Sequence, residues 1–104
     1  MIRHVVVLGE AALDIENAID FYDGIETGLG AYFRDSIMSD LRRLGLHFGK
    51  HAVQFGFHRA LSHRFPFAIY YRDRDERREV IAILDLRRNP EWLKGNLESR
   101  AIEL

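Results

Sequence analysis

The chain has no cysteine and only two prolines in 104 residues. Without thiols there is no disulfide, no thiol nucleophile and no zinc site built on thiolates. Cysteine-free composition also fits a reducing compartment. The longest apolar runs are a handful of residues, far below the ~20 that span a bilayer. The opening Met1-Ile2-Arg3-His4-Val5-Val6-Val7-Leu8 is interrupted by Gly9-Glu10 too soon for a signal peptide. A cytoplasmic protein with no membrane partner is the resulting expectation. No glycine-rich phosphate loop follows a strand. Gly28-Leu29-Gly30 resembles a piece of a nucleotide fingerprint, but it lies between two helical patterns and reads as a turn. No serine–histidine–acid arrangement, repeat, linker or low-complexity tract stands out.

What remains is the composition of an ordinary folded domain, 47% hydrophobic and 30% charged. The length predicts a single domain over residues 1–104. The net charge of -1 conceals an asymmetry: residues 1–50 carry five basic and eight acidic side chains, residues 51–104 ten basic and eight acidic. Nine of those ten are arginines, whose planar fork suits phosphate or carboxylate. Charge alone is also what a solvated surface displays.

The β-branched run Val5 to Leu8 predicts a first strand. Ala11, Ile15, Ala18, Ile19 and Tyr22 recur at helical spacing and predict a helix over about Glu10 to Tyr22, with Glu10, Asp14, Asn17 and Asp20 on its outer face. Asp23 to Gly30 reads as the connection. A second helix is expected over Leu29 to Leu46, its stripe formed by Leu29, Phe33, Ile37, Leu41 and Leu44, with Asp40, Arg42 and Arg43 outside. A short connection makes the pair an antiparallel hairpin.

From His47 the period fails, leaving a loop with an extended piece near Ala52 to Phe55. Strands are then expected at Phe57–His63, Phe65–Arg72 and Glu79–Leu86, with Asp73 to Arg78 as a hairpin turn. In the last strand Val80, Ala82, Leu84 and Leu86 are expected on one face, Ile81 and Ile83 on the other. Apolar residues on both faces mark a doubly covered strand. Pro90 suits the first turn of a closing helix in Glu91 to Leu104. The predicted fold class is α+β: an N-terminal strand and a helical hairpin on a mainly antiparallel sheet, in the order β-α-α-β-β-β.

Candidate chemistry lies mostly in the second half. His47 and His51 stand four apart, but Gly49 between them opposes a helix and no third ligand has motif spacing, so neither metal nor cofactor is expected. Alternation along Phe57 to Arg64 puts Arg59 and His63 on one face, and His58 and Arg64 on the other. Either pair offers charge and a group titrating near neutrality, or simply a solvated face. Arg87 and Arg88 end the last strand on opposite faces, so one can face a groove while the other pairs with Asp85. Phe65, Phe67, Tyr70 and Tyr71 read as core, and Trp92 as the aromatic left exposed.

Four stretches together resemble the RelE/ParE superfamily of toxins, the plasmid stabilisation proteins of type II toxin–antitoxin modules: AALDIENAIDFY from Ala11, GLGAYF from Gly28, HRALSHRFPFAIYY from His58 and VIAILDLRRNPEW from Val80. The most specific part is Arg64 to Tyr71 followed at hairpin distance by Leu84 to Pro90. The resemblance implies a cognate antitoxin as partner, a toxin–antitoxin hetero-oligomer, and one of two activities. ParE-like members inhibit growth by binding DNA gyrase without catalysis; here Arg64, Arg87, Arg88 and Trp92 would meet the target. RelE-like members cut messenger RNA on the ribosome without metal; here His58, Arg59, His63, Asp85 and Arg88 are the candidates. Ala68 stands where RNase members carry a basic residue, and their C-terminal tyrosine has no match. The gyrase-type, non-enzymatic expectation therefore leads. Cleavage would require Arg59, Arg88 and one of His58, His63 or Asp85 to converge on one open face.

Overall fold

The computed structural model describes residues 3–104. Met1 and Ile2, the start of the stretch judged unlike a signal peptide, lie outside the described residues. The order is β1 (His4–Val7), α1 (Gly9–Ile25), α2 (Leu29–Leu46), β2 (Val53–Gln54), β3 (Phe57–Leu61), β4 (Phe67–Arg74), β5 (Arg77–Asp85) and α3 (Pro90–Glu103). The five strands form one sheet in the order β1-β5-β4-β3-β2. The class is α+β, as composition and period predict, and the sheet is mixed. β1 runs parallel to β5, while the other neighbours are antiparallel.

Helix α2 spans the residues its period predicts, Leu29–Leu46. Helix α1 runs three residues beyond Tyr22, so the connection shrinks to Glu26–Gly28. Gly28 sits there at φ +94, a conformation glycine adopts without steric cost. The Asp23 carboxylate accepts from the Gly28 and Gly30 amides at 3.0 and 3.2 Å, satisfying donors that the start of α2 would otherwise leave open. Gly30 also sets the helix spacing. A Cβ there would lie 2.6 Å from the Ile19 carbonyl oxygen, so the two helices pack this closely only over glycine.

The hairpin covers one face of the sheet. Tyr22, Phe33, Ile37, Leu41 and Leu44 pack on Ala60, Phe67, Ile69, Tyr71, Val80 and Ile83. On the other face Leu93 and Leu97 of α3 close over Phe57, Ala68, Tyr70, Ile81, Ala82 and Leu84. Strand β5 is thus covered on both sides, though not with the expected alternation. Tyr71 pairs with Val80 and Tyr70 with Ala82, leaving Ile81 as an extra residue in a bulge. The bulge resets the parity: Val80 joins Ile83 under the hairpin, and Ile81 joins Ala82 under α3.

Two other expectations change. The turn between β4 and β5 is only Asp75–Glu76, with Asp75 at φ 58, so Asp73, Arg74, Arg77 and Arg78 are strand residues. Arg78 is wholly buried. Its Nε donates to Asp73 at 3.0 Å, its other nitrogens donate to the Leu44 and Gly49 carbonyls, and its guanidinium lies 5.0 Å from the Tyr71 ring centre. Asp40, expected outside α2, is 5% exposed. Strand β3 stops at Leu61, which leaves Ser62 and His63 free to turn onto that carboxylate. Among the described residues no helix is long and apolar enough to cross a membrane.

Candidate functional site

Strand β5 ends at Asp85, and four residues, 86–89, lead through a turn into α3. Asn89 caps that helix, its side-chain oxygen accepting from the Glu91 amide at 2.7 Å, with Pro90 in the first turn. This stop-and-restart fixes the side chains between. Asp85 folds back on Arg87, accepting from its amide at 2.9 Å and from its guanidinium at 2.6–3.2 Å. The outer Arg87 nitrogen also reaches the Tyr22 hydroxyl at 3.5 Å. Arg88, one residue on, faces the other way and lies 4.0 Å over the Trp92 ring. The split of roles between Arg87 and Arg88 is set by the turn and not by strand alternation, because β5 ends at Asp85.

Partial burial pushes the Asp85 carboxyl up, but the Arg87 hydrogen bonds and the charges of Arg87 and Arg88 outweigh it and hold the group below its ordinary value. Asp85 is therefore a fixed anion, suited to positioning Arg87 and poorly suited to proton transfer at neutral pH.

Arg88 and Trp92 form one wall of a groove of about 560 Å³ between α1 and α3, with Asn17, Phe21 and Asn96 also lining it. Phe21 is 56% exposed and Trp92 37%. The groove exists because β1 covers β5 only as far as Val80. Beyond it the β5 edge is capped by side chains. The Ile83 amide donates to Asp14 at 2.9 Å and the Ile81 carbonyl accepts from Arg100 at 3.0 Å, while Arg100 and Asp14 pair at 2.6 and 2.8 Å. Asp14, expected on the outer face of α1, thus ties α1, β5 and α3 together. No local signal marks a bond between residues 69 or 86 positions apart.

The remaining candidates lie elsewhere. His58 is on the hairpin side of β3, its Nδ1–H donating to the His51 carbonyl at 2.6 Å, its ring against Tyr71. Arg59 points to the opposite face, across from Tyr70. Burial raises the Tyr70 hydroxyl pKa and the Arg59 charge opposes the shift; no hydrogen bond closes on that hydroxyl oxygen. Arg64 donates to the Tyr32 hydroxyl at 3.3 Å. His63 donates from Nδ1 to Asp40 at 2.7 Å. Arg59, paired with Tyr70 and so with Ala82, is two strands away from Asp85 and three residues along, roughly 14 Å at standard spacings, and faces the other side of the sheet. The structure therefore brings together Asp85, Arg87, Arg88 and Trp92, and separates Arg59, His58, His63 and Arg64 from them.

Sequence reasoning missed Asp40, whose signal was its place one turn before Leu44 on the buried stripe. Among the described residues no group of three histidine or acidic side chains is arranged to hold a metal ion. No protein-family model matches the chain, and no curated protein matches it.

Proposed function

We propose that this chain is the toxin of a type II toxin–antitoxin (plasmid stabilisation) module of the RelE/ParE kind, and that it arrests growth by gripping a protein target such as DNA gyrase. The observation that carries the reading is the α1–α3 groove with the Arg88–Trp92 stack on its rim and Phe21 open beside it. Arginine and tryptophan are the side chains that dominate protein–protein hot spots. The only carboxylate of the candidate set at this end, Asp85, is saturated by Arg87, so the site offers grip without an acid–base pair.

A cognate antitoxin has a separate surface available. Between β1 and α2 runs an apolar groove of about 700 Å³, walled by Val5, Val7, Met38, Leu41 and Leu46 and rimmed by Arg42. The Arg3 amide donates outward to Gly45 at 2.8 Å and the Leu8 amide inward to Val80 at 3.0 Å. By alternation the Val5 and Val7 main-chain groups face outward, an edge that an extended antitoxin segment can pair with.

A second reading, ribosome-dependent and metal-independent RNA cleavage, draws support from the His63 imidazole, which Asp40 orients while leaving Nε2 free. One experiment separates the two. The chain expressed alone should stop growth, co-expression of the neighbouring antitoxin gene should restore it, and transcripts in translating extracts should stay intact. Unslowed growth ends the toxin reading. Site-specific cuts that disappear with His63→Ala would replace the gyrase-type reading by the RNase.

A further inference from the structure

On the far side of α2 from the β1 groove, the helix end, the following loop and β3 border an open cavity of about 240 Å³. Its polar lining is Arg43, His47, His51 and His63, with Asp40 as the one carboxylate. That carboxylate is already fully engaged. One oxygen accepts from the Ser62 hydroxyl at 2.8 Å and the His63 amide at 3.4 Å, the other from His63 Nδ1 at 2.7 Å and Arg43 at 3.4 Å. It orients the donors and leaves them spare capacity. His63 Nε2 is free, as are the remaining guanidinium protons of Arg43.

His51 is fixed just as tightly. The Tyr71 hydroxyl accepts from the His51 amide at 3.0 Å, and its own proton is then available to Nδ1 of the same residue at 2.7 Å. That bond puts the His51 ring proton on Nε2. The His47 ring is stacked on it, centroids 4.2 Å apart. Stacked imidazoles beside the Arg43 guanidinium, with Asp40 as the one carboxylate in the lining, make a donor-rich wall.

We propose that this cavity is a binding site for a phosphate group, gripped by Arg43 and by the imidazoles of His47, His51 and His63, with Asp40 and Tyr71 as positioning residues. The bound group is an oxyanion accepting four or more hydrogen bonds, either free phosphate or one phosphodiester of a nucleic-acid strand. The site shares no residue with the Arg88–Trp92 groove, so it stands or falls independently of the proposed function.

Protonation strengthens the site. Burial, with the positive neighbours His47, Arg78 and His58, holds the His51 pKa below its ordinary value, and an anion in the cavity reverses the unfavourable charge. The groups facing His51 are His47 from the end of α2, His58 from β3, Tyr71 from β4 and Arg78 from β5. Only Asp40, across the cavity, is negative.

The test is a titration of the purified protein with inorganic phosphate, followed by the histidine ring-proton NMR signals. The expected result is a saturable shift of the His47, His51 and His63 signals. Arg43→Ala and His51→Ala should each weaken binding about tenfold or more, the scale of one lost charge-assisted hydrogen bond. Trp92→Ala should leave it unchanged. Sulfate, whose charge is constant across this range, should bind more tightly as pH falls from 7.5 to 6. A single-stranded RNA oligonucleotide that moves the same signals, and that phosphate displaces, identifies the strand as the source; shifts with phosphate alone identify the free ion. Linear drift with ionic strength and no saturation for any probe would overturn the site. So would saturable binding that survives both Arg43→Ala and His51→Ala in variants with native ring-proton spectra.

Discussion

The two cationic ends of this small sheet differ in what holds their charge. At the α3 end the cations are arginines, one locked to Asp85 and one laid over Trp92. Their charge is constant at any pH the cell reaches. At the α2 end Arg43 is the one arginine and the other donors are imidazoles: His63 is tied to Asp40, and His51 is held below its usual pKa by burial and its neighbours. The proposed target groove and the proposed anion site share no lining residue.

Removing the member that joins the loop to the sheet should have the largest effect. Arg78→Met strands the buried Asp73 carboxylate and frees the Leu44 and Gly49 carbonyls. Loss of one partner of a buried pair costs about 3–5 kcal/mol. Urea unfolding should show that loss, and the histidine signals should collapse toward random-coil positions while Trp92 fluorescence holds until global unfolding.

Trp92→Ala should cost about 2 kcal/mol or more in target affinity, roughly a 30-fold weaker complex, with little change in stability because the ring is partly exposed. His63→Gln should leave target binding unaltered. Equal losses from both substitutions, measured by pull-down with the target, would erase the division between the ends.

Acid should separate the ends further. His51 has a folded-state pKa below the unfolded value of about 6.5, so the unfolded chain takes up its proton first. Its contribution makes stability decline as pH falls through that unfolded value toward the lower folded one. Equilibrium unfolding of His51→Gln should show a flatter pH dependence between 7.5 and 5.5 than the parent protein.

The smallest effect is expected at Asp85. Its folded pKa is depressed, so its stabilisation is present above the unfolded value near 4 and fades as pH falls through the folded one. Asp85→Asn should cost less than about 1 kcal/mol at neutral pH, the range for ion pairs near the surface. The difference should shrink as pH falls below the unfolded value near 4.

Much of this arrangement is written in periodicity. The stripe from Leu29 to Leu44 sets α2, the alternation of Phe67, Ile69 and Tyr71 sets the buried face of β4, and Pro90 marks the start of α3. The Arg87–Arg88 division is set by the turn beyond Asp85, where strand alternation no longer applies. Three further features are not written in periodicity either. The bulge at Ile81 arises from the register of two strands against each other, so a single strand's pattern places Val80 on the wrong face. Asp40 has the polarity of a surface residue, and its burial depends on Ser62 and His63 arriving from 22 and 23 positions away. Arg78 is written into what reads as a charged turn, yet the fold fills its donors with Asp73, a carbonyl of the last turn of α2 and one of the loop after it. Each depends on a partner elsewhere in the chain, which one segment's hydrophobic period cannot encode.

If the Arg88–Trp92 groove grips gyrase as proposed and performs no chemistry, increasing amounts of the parent protein should inhibit DNA supercoiling by purified gyrase. Arg88→Ala should weaken that inhibition, Trp92→Ala should shift it to at least about 30-fold higher concentration, and changes at His58 or His63 should leave it unaltered. Unimpaired supercoiling at saturating protein, together with site-specific cleavage of messenger RNA in a translating extract, would contradict the proposal.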